Sequence, residues 1–395
     1  MSVLGTDYNL RINRDKMLKL TVYDRDSITP FRSLMTNIGS LAASLFAIGI
    51  VFFLCGVNPF YAIGKIFTGS FGSMYGVKET ITKAIPLILI GGGLALAFRA
   101  KFWNIGAEGQ LLMGALMGTW VGLAWGSLLP SFLLIPLMFA AGFAGGAILG
   151  LIPAILKIRF SINEVISTLM LNYICAELIT MLIVGPWKGN TRFGFPGTNN
   201  LNDAALLGVM PGSRIHYVTL IIAIISVVIL SIIVYRTRFG YEVRVIGENP
   251  EAGKYAGIDF FRTTLVIMTL SGGLAGIAGV GELAGIHHYL GYPASISSGY
   301  GFTAIIVAWL AKLNPLYVIV SALFFAGILV GGDAIQISLG LPGATVQLVN
   351  GILLVCLIMG DYFLKNKVVV TIANKTVETI SPYIAKSSSS SSTES

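Results

Sequence analysis

Apolar runs long enough to cross the hydrocarbon core of a bilayer as helices, around 20 residues each, recur along nearly the whole chain. They are continuously apolar. Barrel strands instead change face every second residue, so a transmembrane β-barrel is excluded. Only 11% of the residues are charged and 55% are hydrophobic, against roughly 25% charged in a soluble domain. The expected fold class is therefore an all-α polytopic membrane protein. The runs lie near 34–57, 80–98, 106–127, 131–156, 162–184, 216–235, 263–286, 302–312, 315–333 and 343–364, ten elements in all. Residues 34–365 form the expected transmembrane domain, preceded by a polar segment (1–33) and followed by a tail (366–395) that ends in KSSSSSSTES. A serine run buries too little apolar surface to fold, so the tail is expected to be disordered.

The net charge of +8 does not point to nucleic acid, because Lys and Arg sit in short loops where they orient membrane proteins. With the N-terminus inside, the cytoplasmic loops hold Arg99, Lys101, Lys157, Arg159, Arg236, Arg238, Arg244, Lys254, Arg262 and Lys312. The external loops hold fewer: Lys65, Lys78, Lys188, Arg192 and Arg214. Both termini are thus expected in the cytoplasm, and the basic N-terminal residues Arg11, Arg14, Lys16 and Lys19 agree. Cys55, Cys175 and Cys356 are too widely spaced for a ligand cluster and read as small buried hydrophobes. The first apolar run is too long for a signal peptide and is expected to remain uncleaved.

The run at 302–312 is about 16 Å of helix, half a bilayer. It follows the Gly/Ser/Pro/aromatic stretch HHYLGYPASISSGYGF and reads as a re-entrant or broken element, tolerated only against protein or a water-filled cavity. FWNIGAEGQ (102–110) is a matching glycine-rich break in the first half. A weaker echo relates IRFSINEVISTLMLNYI (158–174) to ISLGLPGATVQLVNGIL (337–353). An odd number of crossings separates the paired segments, so the expectation is two inverted repeats, with a transport path at their interface. Asn104, Gly106, Glu108 and Gln110 from one break, and Ser297, Gly299, Phe302 and Trp309 from the other, are its candidate lining. For Glu108 and Gln110 the alternative is ordinary helix-start chemistry. For the aromatics Tyr289, Tyr292, Tyr300, Phe302 and Trp309 it is an interfacial belt, with a purine ring stacking on Phe302 or Trp309 as the sharper alternative.

GENPEAGKYAG (247–257) superficially looks like a phosphate loop. Five residues separate Gly247 from Gly253, Pro250 lacks an N–H, and Tyr255 stands where Ser or Thr would reach Mg²⁺. Asn249 before Pro250 and Glu251 is instead a helix start, and Gly257 a helix stop. A short capped helix over about 250–256 is expected, within a segment at about 248–258.

Other polar residues carry less. Glu164 and its cap Asn163 read as structural. Glu177 lies mid-span, where a charge costs roughly 2.5–3.5 kcal/mol, so it should face protein or water, with a neutral carboxyl as the alternative to a charged one. Glu282, His287 and His288 do not make a metal site, since adjacent residues on a helix point about 100° apart.

FWNIGAEGQ, RFSINEVISTLMLNYI, TRFGYEVRVIGENPEAGKYAGI and the run from SGGLAGIAGVGELAGIHHYL through SISSGYGFTAIIVAWLAKLNP resemble permease subunits of bacterial ABC importers. The branch is that of ribose-type and branched-chain amino-acid permeases, and the likeness is strongest to nucleoside importer permeases that work with basic-membrane-protein-type lipoproteins. It covers about residues 30–365. The resemblance implies a ten-helix inner-membrane subunit paired with a second permease, different but related, in a heterodimer. It also implies cytoplasmic ATPases that use ATP and Mg²⁺, and an external substrate-binding lipoprotein. The chain itself would bind no cofactor and catalyse nothing. The 248–258 segment would be the coupling helix on which the ATPase docks, through Arg244, Glu248, Asn249, Pro250, Glu251, Lys254, Tyr255 and Gly257. Relatives also carry riboflavin and simple sugars. A self-contained secondary transporter, coupled through Glu177 and Asp333, is the competing class; a membrane enzyme lacks any HExxH, G-x-S-x-G or carboxylate cluster.

Overall fold

The computed structural model describes residues 6–13, 16–24, 30–190 and 195–374. Arg14, Arg192 and the serine run lie outside the described residues. The elements are β1 (Thr6–Asn13), β2 (Lys16–Asp24), α1 (Pro30–Leu54), α2 (Pro59–Phe71), α3 (Met74–Arg99), α4 (Ala107–Trp125), α5 (Ser131–Phe160), α6 (Glu164–Val184), α7 (Tyr217–Arg236), α8 (Arg238–Glu248), α9 (Pro250–Tyr255), α10 (Phe260–Glu282), α11 (Pro293–Ile296), α12 (Tyr300–Leu310), α13 (Pro315–Leu339), α14 (Gly343–Lys365) and β3 (Asn366–Asn374). Each of the ten expected apolar runs is a helix, and the protein is a polytopic helical membrane protein. Seven of the described helices are long and apolar enough to cross a membrane, while Tyr300–Leu310 is apolar but short.

Two compact units divide the chain, residues 1–55 with 348–395, and residues 56–347. In the first, β1 and β2 form an antiparallel hairpin and β3 pairs antiparallel with β2, with Val22 opposite Val368. The tail expected to lack structure from residue 366 therefore begins with a strand. VVVTI (368–372) is β-branched throughout, a strand signal that the serine run beyond it overshadows.

In the second unit α10 is the central helix, packed on α3, α4 and α5. Small residues make this possible. Gly142 and Gly146 on α5 face Gly272 and Gly276 on α10 so closely that a Cβ on any of the four would strike a backbone or side chain of the neighbouring helices. In lipid, where no water is expelled when helices meet, such glycine faces supply the packing that holds them together.

Two of the longer helices, α2 and α8, have no full apolar run to predict them. Asn58 caps α2 through Phe60 N–H at 3.0 Å, and Pro59 at its first position completes a start signal within a stretch read as external loop. Thr237 caps α8 through Gly240 N–H at 3.2 Å.

Candidate functional site

The glycine break at 102–110 is a knot of neutral amides. Asn104, with 0% of its surface exposed, donates from Nδ2 to Gln110 Oε1 at 3.0 Å and to Ser271 Oγ at 3.1 Å. Its Oδ1 accepts from Gln110 Nε2 at 3.0 Å and from Gly106 N–H at 3.1 Å. Asn172 on α6 closes the other side, accepting from Gly109 N–H at 2.8 Å and donating to the Ile105 carbonyl at 2.9 Å. The backbone freed by the break is thus bonded by Thr168 and Asn172 of α6 and by Asn104 itself, as non-helical backbone at membrane depth requires. Asn104 and Gln110, expected as lining, are turned inward and bonded to each other.

The two breaks come together in space. Gly301 packs against the start of α4, where a Cβ would collide with the backbone of Ala107 and Glu108. Its N–H donates to Glu108 Oε2 at 2.7 Å, and the same carboxylate meets the Ser297 hydroxyl. Glu108 thereby caps α12 from another helix. It supplies the oxygen that Gly299, held at φ 83°, cannot. Ser297 Oγ in turn accepts from Tyr300 N–H at 3.1 Å.

Trp309 is not open for stacking on both faces. It stacks on Trp103 with centroids 5.7 Å apart, and Phe98 joins at 5.5 and 6.3 Å. Phe302, two turns earlier on α12, is exposed.

The polar island after α7 is a pair of helices. Asn249 Oδ1 accepts from Glu251 N–H and Ala252 N–H, both at 3.1 Å, so the cap expected from the sequence forms. Gly257 follows at φ 74°. Gly247 sits against the carbonyl of Arg99, leaving no room for a Cβ, and so joins α8 to the end of α3. Arg99 reaches Tyr235 Oη and the Leu313 carbonyl, each at 3.1 Å, linking α7 and the α12–α13 turn. Asp259 caps α10 through Arg262 N–H at 3.1 Å, and Thr263 Oγ1 donates to Glu242 Oε2 at 3.3 Å. Pro250, Glu251, Lys254 and Glu248 are exposed, Arg244 is half-buried, and Tyr255 is 94% exposed. A family profile described as branched-chain amino acid transport system / permease component matches residues 76–358, both glycine breaks and the helix pair included.

The chain belongs to this permease family.

A glucose ABC transporter permease protein, TsgB13 of Haloferax volcanii, is 34% identical over 89% of this chain and 94% of its own length. The guanosine ABC transporter permease protein NupP of Bacillus subtilis is 31% identical over 81% of this chain and 92% of its own. The nucleoside ABC transporter permease protein NupB of Lactococcus lactis is 32% identical over 77% and 85%.

Within the permease the remaining candidates fall into place. Glu164 pairs with Lys157, and Asn163 caps α6 through Val165 N–H at 2.8 Å. Asp333 pairs with Lys83 across α3 and α13, and Arg214 lies 3.6 Å from Glu79. Glu282 is buried at the start of a π turn (Leu283–His287), with Oε2 3.9 Å from His287 Nε2. Among the described residues no cluster of three or more His, Cys, Asp or Glu is arranged to hold a metal. His216, just before α7, is fully buried with neither ring nitrogen hydrogen-bonded. Burial depresses its pKa to about 4. Nothing in the sequence around it signals this burial; the cause is Gly285, whose missing Cβ lets the imidazole lie against the turn that follows α10.

Proposed function

We propose that this permease component is the membrane subunit of an ABC importer and carries nucleosides, purine nucleosides in particular. The observation that carries the reading is the similarity, over most of both chains, to the guanosine and nucleoside permease proteins. Separate cytoplasmic ATPases would hydrolyse ATP with Mg²⁺ and dock on α9 and its approach, through Arg244, Glu248, Asn249, Pro250, Glu251, Lys254, Tyr255 and Gly257. Contacts of α8 with α3 and of Glu242 with Thr263 on α10 favour this, since a push there is not absorbed by flexing. The chain itself would hydrolyse nothing. A second, related permease and an external binding lipoprotein would complete the complex in the bacterial inner membrane. Both termini would be cytoplasmic, consistent with β3 pairing to β2.

The path would run past the joined breaks, by Gly106, Glu108, Ser297, Gly299 and Phe302. Asn104 and Gln110 would fix its wall, and Trp309 would close its end with Trp103. A sugar is the second reading, favoured by the glucose permease relative. Uptake of labelled guanosine and glucose by cells expressing the whole importer separates the two. Saturable guanosine uptake that excess glucose does not inhibit supports the nucleoside reading; the converse supports the sugar. Uptake of neither by an assembled complex overturns both.

A further inference from the structure

α6 has two faces with opposite chemistry. Thr168, Asn172, Cys175, Ile179 and Ile183 are buried, and Asn172 on this face grips the glycine break. The exposed residues of the helix are Ile166, Met170, Tyr173, Ile174, Glu177, Met181 and Val184. At about 100° per residue they fall within about 60° either side of Glu177, a single stripe with no stray member. Glu177 is well inside this 21-residue helix, more than a turn from either end, and is exposed in the unit formed by residues 56–347.

A carboxylate exposed at that depth marks a face that does not meet lipid; intramembrane acids face protein or a water-filled cavity. We propose that the stripe centred on Glu177 is a wall of the water-filled translocation path. There Glu177, with Tyr173 one turn away, receives the donor edge of an uncharged solute in transit. This rests on the importer reading above.

The occupant follows from the chemistry of the stripe. A carboxylate oxygen accepts hydrogen bonds, so the solute edge that meets it donates. The stripe holds no Lys or Arg, so an anionic solute finds no partner there. Tyr173 offers a flat ring, and Met170 and Met181 are the flexible, polarizable side chains that adapt to varied apolar surfaces. The solute is therefore neutral, with adjacent N–H or O–H donors beside a flat or apolar face. Both a guanine base, with its ring N–H next to an amino group, and a sugar with neighbouring hydroxyls meet that description.

The test uses the complete importer in membrane vesicles. Cys55 and Cys356 are replaced by Ser and the buried Cys175 by Ala. The variant Glu177→Cys, or Ile225→Cys on α7, whose one charge is Arg236 at its end, as comparator, is then made in that background. A water-soluble cationic methanethiosulfonate should modify the Glu177→Cys protein and leave the Ile225→Cys protein unmodified. In parallel, Glu177→Leu should lower uptake at least tenfold with the ATPase and second permease still co-purifying. Glu177→Asp should recover part of the uptake. If guanosine uptake falls, the solute is a nucleoside; if glucose uptake falls, it is a sugar, and the wall assignment stands either way. Should the wild type carry neither, the importer reading fails and labelling of the Glu177→Cys protein alone decides the wall. No modification of Glu177→Cys, normal uptake by Glu177→Leu, or loss of the second permease from that variant would each overturn the proposal, the last by making the stripe a subunit contact.

Discussion

Two polar islands interrupt the apolar runs of this permease, and they are handled in opposite ways. The breaks at 102–110 and 297–301 are turned inward. Asn104, Gln110, Asn172 and Ser271 satisfy one another and the backbone between them, and Glu108 caps a half-length helix across the gap. The island at 237–262 is turned outward: Asn249 and Thr237 satisfy the helix starts, and most of the charged side chains are left exposed. A polar interruption in a membrane chain thus has two physical solutions, and residue type distinguishes them. Neutral amides and glycines can be buried if every donor is matched, and Glu108 joins them where Gly301 N–H and the Ser297 hydroxyl meet its carboxylate. Most Arg, Lys and Glu of the outward island keep their hydration at the surface.

The largest expected effect comes from disrupting the inward island. Asn104→Leu leaves the Gln110 amide and the Gly106 N–H without partners in a dry site, and each unpaired group costs about 1–3 kcal/mol. Thermal unfolding of the purified permease should show a loss of about 2–6 kcal/mol, the sum of those two groups. A loss below about 0.5 kcal/mol, the scale of a neutral substitution, would contradict the burial account.

A buried group with no matched partners behaves differently. His216 has a folded pKa of about 4 against roughly 6.5 when unfolded. Above pH 6.5 both states are neutral and stability does not depend on this group. Between about 6.5 and 4 the unfolded chain binds a proton that the folded chain refuses, so stability falls as pH falls, by up to about 3 kcal/mol. His216→Gln should flatten that slope in unfolding measured across the window.

Smaller still is Gly301→Ala, which forces a methyl into the backbone of α4 and should cost about 1–3 kcal/mol, as overpacking does. Transport should fall more than assembly. The smallest effect belongs to the outward island. Asn249→Ala should loosen α9 by about 1 kcal/mol, the worth of an N-cap. Amide exchange should quicken at residues 252–256, with global unfolding unchanged.

Most of the fold is legible in the sequence because membrane helices announce themselves by continuous apolar runs, and the Asn249-Pro250 start is a local signal that needs no tertiary contact. Helices α2 and α8 escape that reading for the same reason: both begin with good caps, Asn58 and Thr237, but lack a full-length apolar run. Strand β3 is hidden by the serine run behind it. In the site, the pairing of the two glycine breaks is readable, yet the direction in which each side chain points is not. That Asn104 bonds inward depends on Ser271, far away in sequence, and the open face of Glu177 depends on which side of α6 Asn172 secures.

The coupling reading rests on α9 being the point at which a separate ATPase moves this permease. Glu251→Pro removes the N–H that bonds Asn249 and, by following Pro250, disfavours the helical conformation of the first turn. The decisive measurement is ATPase association with the purified wild type and this variant, made side by side with unfolding and transport. The variant is expected to unfold like the wild type yet to lose the ATPase or its transport. Full docking and full transport by the variant, or ATP binding by the isolated wild-type chain, would contradict that reading.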